Sequence, residues 1–276
     1  MRKPNISPHT SSSAGVPWPD EPGASVLKVE SLTSGYRTYL ARSDAHLHSL
    51  SLNAATLPGW WLERKRRGFL STERISELRE IYDSRDLERS LILRRAEHLV
   101  NGKMPLLSHE PPEFSGADRW RRDHILGISA PSGSCSQINI LDANLVGDIR
   151  RLWEPSRFGW AYWLGQAYVI TGQIRFAEKF EELSLDWFAQ NQFAEGVNYY
   201  STQEIALRLY ALIHALDLFS DYVTRQPELL LALLNGLWLH FGLVEKRLHQ
   251  LGDSKASAIV HSFPLFAAGA FFPQFA

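Results

Sequence analysis

Cysteine is nearly absent: Cys135 is the one thiol in 276 residues. A single thiol excludes an intrachain disulfide framework and any zinc or iron–sulfur site built on several cysteines. It leaves the compartment open, since many periplasmic proteins also lack disulfides. Excess charge is missing too. The 29 Lys and Arg residues meet 30 Asp and Glu residues, a formal net charge of −1. No global field therefore draws the molecule to nucleic acid or anionic lipid, and a polyanion has to be held by a local site. The longest apolar runs, 229–234 and 263–272, fall far short of the ~20 residues that span a bilayer, so no membrane insertion is expected. The N-terminal stretch carries Ser11-Ser12-Ser13, Pro17, Pro19 and Pro22 in place of a signal-peptide apolar core, and residues 1–25 read as a flexible leader before a folded region, 26–276. Gly-x-Gly-x-x-Gly, the Walker element and His-Glu-x-x-His do not occur, which leaves nucleotide and zincin chemistry without support and implies no cofactor.

What is present is a globular composition: 45% hydrophobic residues with 14 Phe, 9 Tyr and 9 Trp. The length corresponds to one large domain or two small ones. After Gly68 the apolar spacing turns helical. Ile75, Leu78, Ile81 and Tyr82 share one face, Leu87, Leu91, Ala96, Leu99 and Val100 follow, and Asn101-Gly102 closes the pair. Residues 103–147 lose that period and gather Pro105, Pro111, Pro112, Gly116, Gly127, Pro131 and Gly133, a long irregular segment expected to wrap over a helical body. From Arg157 the period returns through Trp160, Leu164, Ala167 and Tyr168 to a stop at Thr171-Gly172, then through Phe176, Phe180, Leu183 and Trp187 to Asn191. A third hairpin runs from Ser201 through Ile205, Leu209, Leu212 and Leu216 and, after Pro227, along an apolar helix over 229–251. These last helices are apolar nearly all round and should pack on more than one side. Alternating strand patterns bounded by turns are absent after residue 60, so the class is all-α. Successive hairpins close into a bundle, a solenoid or an (α/α) toroid, and apolar spacing does not separate these.

Leu164-Gly165, Tyr168 and Ala177 fall at the spacing of a tetratricopeptide unit, although Ala161 and Glu181 stand where that repeat has Trp and Phe. A non-catalytic helical scaffold binding protein partners in that manner is the alternative reading. A wider match covers about residues 60–276: Trp120, Asp123-His124-Ile125-Leu126-Gly127, Ile138-Asn139-Ile140-Leu141-Asp142 and Asp148-Ile149-Arg150-Arg151-Leu152-Trp153-Glu154-Pro155-Ser156-Arg157. Gln166-Ala167-Tyr168, Thr171-Gly172, Phe176-Ala177, the run from Asn198-Tyr199-Tyr200-Ser201 to Glu204 and Arg208, and Leu265-Phe266-Ala267-Ala268-Gly269 continue it. This ordered set resembles the N-terminal helical, alginate lyase-like domain of heparinase II/III-like polysaccharide lyases, with its Trp-Glu-x-x-Arg and Asn-Trp-x-Ser-x-x-Glu-x-Ala-x-Arg elements. The resemblance implies an incomplete (α/α) toroid of antiparallel hairpins, truncated before the β-sandwich domain, with a groove for acidic polysaccharide. It also implies a periplasmic or secreted setting.

Elimination at a 4-linked uronic acid removes the weakly acidic C5 proton beside a carboxylate, so the site must neutralise that carboxylate and supply a base. Arg157 and Arg208 suit bidentate contact with uronate, Asn198 suits donation to an oxygen, and Tyr199 or Tyr200 suits stacking on a sugar face; Glu154 and Glu204 complete the candidate set. Each has a structural reading beside it. Ser201-Thr202-Gln203-Glu204 is a capping box, Glu204 and Arg208 stand at i,i+4, and Glu154 and Arg157 at i,i+3. Trp153, Trp160, Trp163 and Trp187 read as core, as do His214 and His240. His46-x-His48 lacks a third metal ligand, and Cys135 has no cation beside it in sequence. The resembling lyases carry Asn-Asn-His ahead of the helix that begins at Leu265, where this chain has Lys255-Ala256-Ser257. Residues 253–264 form an island that departs from the family, of the kind paired frameshifts leave, and catalytic Tyr and His positions of the family lie beyond Ala276. The expectation is therefore glycan binding without turnover, on a scaffold of marginal stability.

Overall fold

The computed structural model describes Leu57, Gly59, Trp61, Glu63 and residues 72–106, 110–247 and 255–271. The expected leader and His46-x-His48 lie outside the described residues. Of the described residues, 72% are helical, and the all-α expectation holds there. The first hairpin is α1 (Thr72–Asp83) and α2 (Asp86–Val100), closed by Gly102 at φ 76°, a left-handed conformation that glycine adopts at no steric cost. Arg79 Nε donates to the Val169 carbonyl at 2.6 Å and ties α1 to the next hairpin.

The irregular segment does wrap over the helices, and it contains the only ladder among the described residues. Strand β1 (Arg122–Asp123) pairs antiparallel with β2 (Ile128–Ser129). The turn between them closes on Asp123, whose buried Oδ1 accepts the amides of Ile125 at 2.9 Å and Leu126 at 3.0 Å. Its Oδ2 accepts the Asp148 amide at 3.0 Å and Arg151 Nη1 at 3.3 Å. A single carboxylate thus joins the turn to the start of α4, which explains why Gly147 must lack a side chain: a Cβ there would stand 2.8 Å from Asp123 Oδ2. Short α3 (Ala143–Val146) precedes α4 (Ile149–Ser156), which Asp148 caps.

The remaining helices are α5 (Gly159–Thr171), α6 (Ile174–Gln190), α7 (Thr202–Leu218), short α8 (Ser220–Val223), α9 (Pro227–Arg247) and α10 (Lys255–Phe271). The expected stop at Thr171-Gly172 is present, with Gly172 at φ 69°, and no strand lies in residues 157–190 or 201–247. Helix α7 packs against α5, α9 and α10, α6 against α5 and α9, and α2 on both α5 and α6. Gly165 sets the closeness of α5 to α7, since a Cβ there would come within 2.7 Å of Leu218 on α7. The glycine that imitates a tetratricopeptide position therefore serves an approach to the following hairpin. Helix α9 is long and apolar enough to cross a bilayer, with mean hydropathy 1.4, yet 67% of that window is buried within the fold, the position of a core helix. Trp160 and Trp187 are buried among Phe158, Phe180 and Phe188, so these indoles are core residues, as expected.

Candidate functional site

The start of α7 is held by its cap. Ser201 Oγ accepts the Glu204 amide at 3.4 Å, the first half of the expected capping box. Val197–Tyr199 forms a 3-10 turn just before it, entered through Gly196 at φ 69°. The end of α4 delivers Arg157 to the same place, because Phe158 adopts a left-handed φ of 61° that reverses the chain between α4 and α5. That conformation is uncommon for a non-glycine residue, and the burial of the Phe158 ring among Trp160, Trp187 and Phe188 stabilises it.

Glu204 is buried, and its carboxylate receives Arg157 in bidentate fashion, Nε to Oε2 at 2.5 Å and Nη2 to Oε1 at 2.8 Å. The hydrogen bond to Glu204 holds the Arg157 guanidinium above its ordinary pKa. The i,i+4 hydrogen-bonded pair that the spacing allows between Glu204 and Arg208 is replaced by this long-range one. Arg208, with no exposed surface, turns inward instead: Nε donates to the Ser156 carbonyl at 2.5 Å and Nη2 to the Asn198 carbonyl at 3.0 Å. Its Nη1 lies 3.0 Å from His240 Nε2. A guanidinium can only donate, so Nε2 is the acceptor and Nδ1–H donates to the Gly236 carbonyl at 2.7 Å. The Arg208 charge also sits 4.4 Å from the centre of the Trp187 ring and 5.6 Å from that of Tyr199. Burial pulls Arg208 down to about 10, and burial followed by the Arg208 charge pulls His240 down to about 3. At neutral pH the arginine is charged and the histidine neutral.

The other candidates gather around this pair. Asn198 is buried, and its Nδ2 donates to the Trp120 carbonyl at 2.9 Å and to Asn191 Oδ1 at 2.7 Å. Tyr199 is buried, and desolvation raises its phenol well above the usual range. Tyr200 is 40% exposed, while Glu154 and Arg157 are half-buried. The seven candidates therefore converge on one end of α7, but only Tyr200, Glu154 and Arg157 reach solvent.

Sequence reasoning missed Arg247. It comes from the end of α9, is buried, and donates Nη2 to the Tyr199 carbonyl at 3.0 Å. It also reaches Cys135, so the thiol without a cation nearby in sequence has one in space. Burial lowers Arg247 to about 10. His240 and Arg247 are seven residues apart and so share a face of α9, a helical-period signal that was available in the sequence. Three guanidiniums, Arg157, Arg208 and Arg247, thus meet around the segment that leads into α7, where the Glu204 charge acts on Arg157 and Arg208 and that of Glu154 acts on Arg157. Among the described residues no cluster of His, Cys, Asp and Glu could hold a metal ion. No family model, curated protein or solved structure matches the chain.

Proposed function

We propose that this chain is the helical part of a heparinase II/III-like uronic-acid polysaccharide lyase, arranged as an incomplete (α/α) toroid, and that it binds acidic glycan without cleaving it. One observation carries the reading: at the start of α7 the partly exposed Arg157 and the exposed Tyr200 are the members of the candidate group that reach solvent, together with Glu154. A guanidinium edge open to solvent and an exposed aromatic ring are what a uronate needs, a carboxylate partner and a face to stack on. The packing of α7 against α5, α9 and α10 is compatible with toroid and solenoid alike.

The same geometry argues against elimination. Proton abstraction from C5 needs a base within hydrogen-bond reach and a donor set aimed at the substrate carboxylate. Here Asn198 Nδ2 is engaged by Trp120 and Asn191, and Arg208 is engaged by Ser156, Asn198 and His240. The Tyr199 phenol is buried and harder to ionise than a free one. Glycan contact falls to Arg157, Tyr200 and Glu154.

Calorimetric titration with alginate, heparan-type and glucuronan oligosaccharides tests this. Weak binding that fades with added salt is expected, reduced by Arg157→Ala and Tyr200→Ala, with no rise in ultraviolet absorbance from unsaturated product. Turnover that disappears in Arg208→Ala would show a complete site. Absence of binding to every acidic glycan, together with capture of a peptide ligand, would favour the tetratricopeptide-like scaffold, a reading supported by the burial of Asn198, Tyr199, Glu204 and Arg208.

A further inference from the structure

The geometry points to α10 as a self-association surface on which two copies of this chain pair antiparallel about a two-fold axis. Ile259, Phe263, Phe266 and Ala270 all face outward, the first three 70%, 50% and 73% exposed. Ala267 and Ala268 are buried, and α10 packs on α7 and α9. The steps along the outward stripe are four, three and four residues, the spacing of a helix-pairing seam. That spacing reads the same in both directions. Two antiparallel copies therefore set Phe263 of each against Phe266 of the other, and Ile259 of each against Ala270 of the other, the reciprocal contact that an isologous interface requires. Aromatic meets aromatic at the centre, and large meets small at both ends.

Charge selects the same occupant. No charged residue occurs in 259–271. A second copy thus meets no like-charge repulsion across the axis, whereas an acidic or basic partner would find nothing to pair with. Helices that lie on membranes carry Lys and Arg beside the apolar face, and this stretch has none. The seam is also anchored, since Tyr210 on α7 packs on Phe263 with ring centroids 5.2 Å apart. With roughly 200 Å² per large side chain, the three exposed residues offer about 400 Å² per copy, about 800 Å² for the pair. That lies below the ~1,200 Å² of stable complexes and marks a weak, reversible dimer.

Sedimentation velocity on the full chain, from low micromolar to near-millimolar concentration, is the test. The expected result is a shift from monomer to dimer, with the midpoint moved at least about tenfold by Phe263→Glu or by Phe266→Lys. Mixing these two variants should restore the dimer, because antiparallel pairing brings the new acid of one copy to the new base of the other while parallel pairing does not. Both positions are half or more exposed, so an unchanged circular dichroism spectrum is the folding control. The dilution series on the unaltered chain reads the proposal without any variant. Monomer at every concentration, a dimer indifferent to both substitutions, or a mixture that fails to associate would overturn it. So would binding to neutral phosphatidylcholine vesicles, abolished by Phe266→Lys, in place of dimerisation.

Discussion

Replacing Glu204 with Gln removes one charge and keeps the shape. Glu204 is the carboxylate that Arg157 grips with two hydrogen bonds, and its charge also acts on buried Arg208. Removing one partner of a buried ion pair costs about 3–5 kcal/mol, because the other charge is left without compensation. Two features of this site change the figure in opposite directions. The Arg157 side chain is 31% exposed and can turn to water, which lowers the penalty, whereas Arg208 has no exposed surface and cannot follow. The balance is a loss of roughly 2–3 kcal/mol, or a melting temperature lower by about 5–10 °C for a domain of this size. Thermal unfolding followed by far-ultraviolet circular dichroism measures the shift. Arg157→Met and the double variant complete a cycle in which a coupling of at least ~1 kcal/mol is expected. A Glu204→Gln protein that melts together with the unaltered chain would refute the argument that this carboxylate holds the arginines in place.

Further expectations follow from the same geometry. Since burial and Arg208 depress His240 to about 3 while an unfolded histidine titrates near 6.5, the unfolded state binds an extra proton between these values. Stability should therefore fall with decreasing pH in that window, by up to about 1.4 kcal/mol per pH unit, and His240→Gln should flatten the profile in urea unfolding series. Gly165→Ala should destabilise by about 1–3 kcal/mol, because its methyl group would meet Leu218 at 2.7 Å; an unchanged midpoint would mean that α5 and α7 can separate freely. Asp123→Ala removes the acceptor of the Ile125, Leu126 and Asp148 amides and should cost about 2–4 kcal/mol, with amide exchange fastest across the β1–β2 turn.

The amino-acid sequence by itself determines the helices and several of their ends. Apolar spacing marks α1, α2, α5, α6, α7 and α9, Thr171-Gly172 marks a stop, and Ser201 marks a start, because periodicity and capping are set by near neighbours in the chain. The candidate residues were legible as a group only through the resemblance to the lyase motifs, and they lie together at the beginning of α7. Their partners were not legible. Glu204 has an arginine four residues away and another 47 residues away, and it takes the distant one because Arg208 is drawn into the core by Ser156, Asn198 and His240. Cys135 acquires Arg247 in the same fashion. The sequence likewise marks 263–272 as an apolar run, but only packing distinguishes the side of α10 that α7 and α9 cover from the stripe left in solvent. Burial depends on what stands opposite a side chain, and for these residues that neighbour comes from a distant part of the chain.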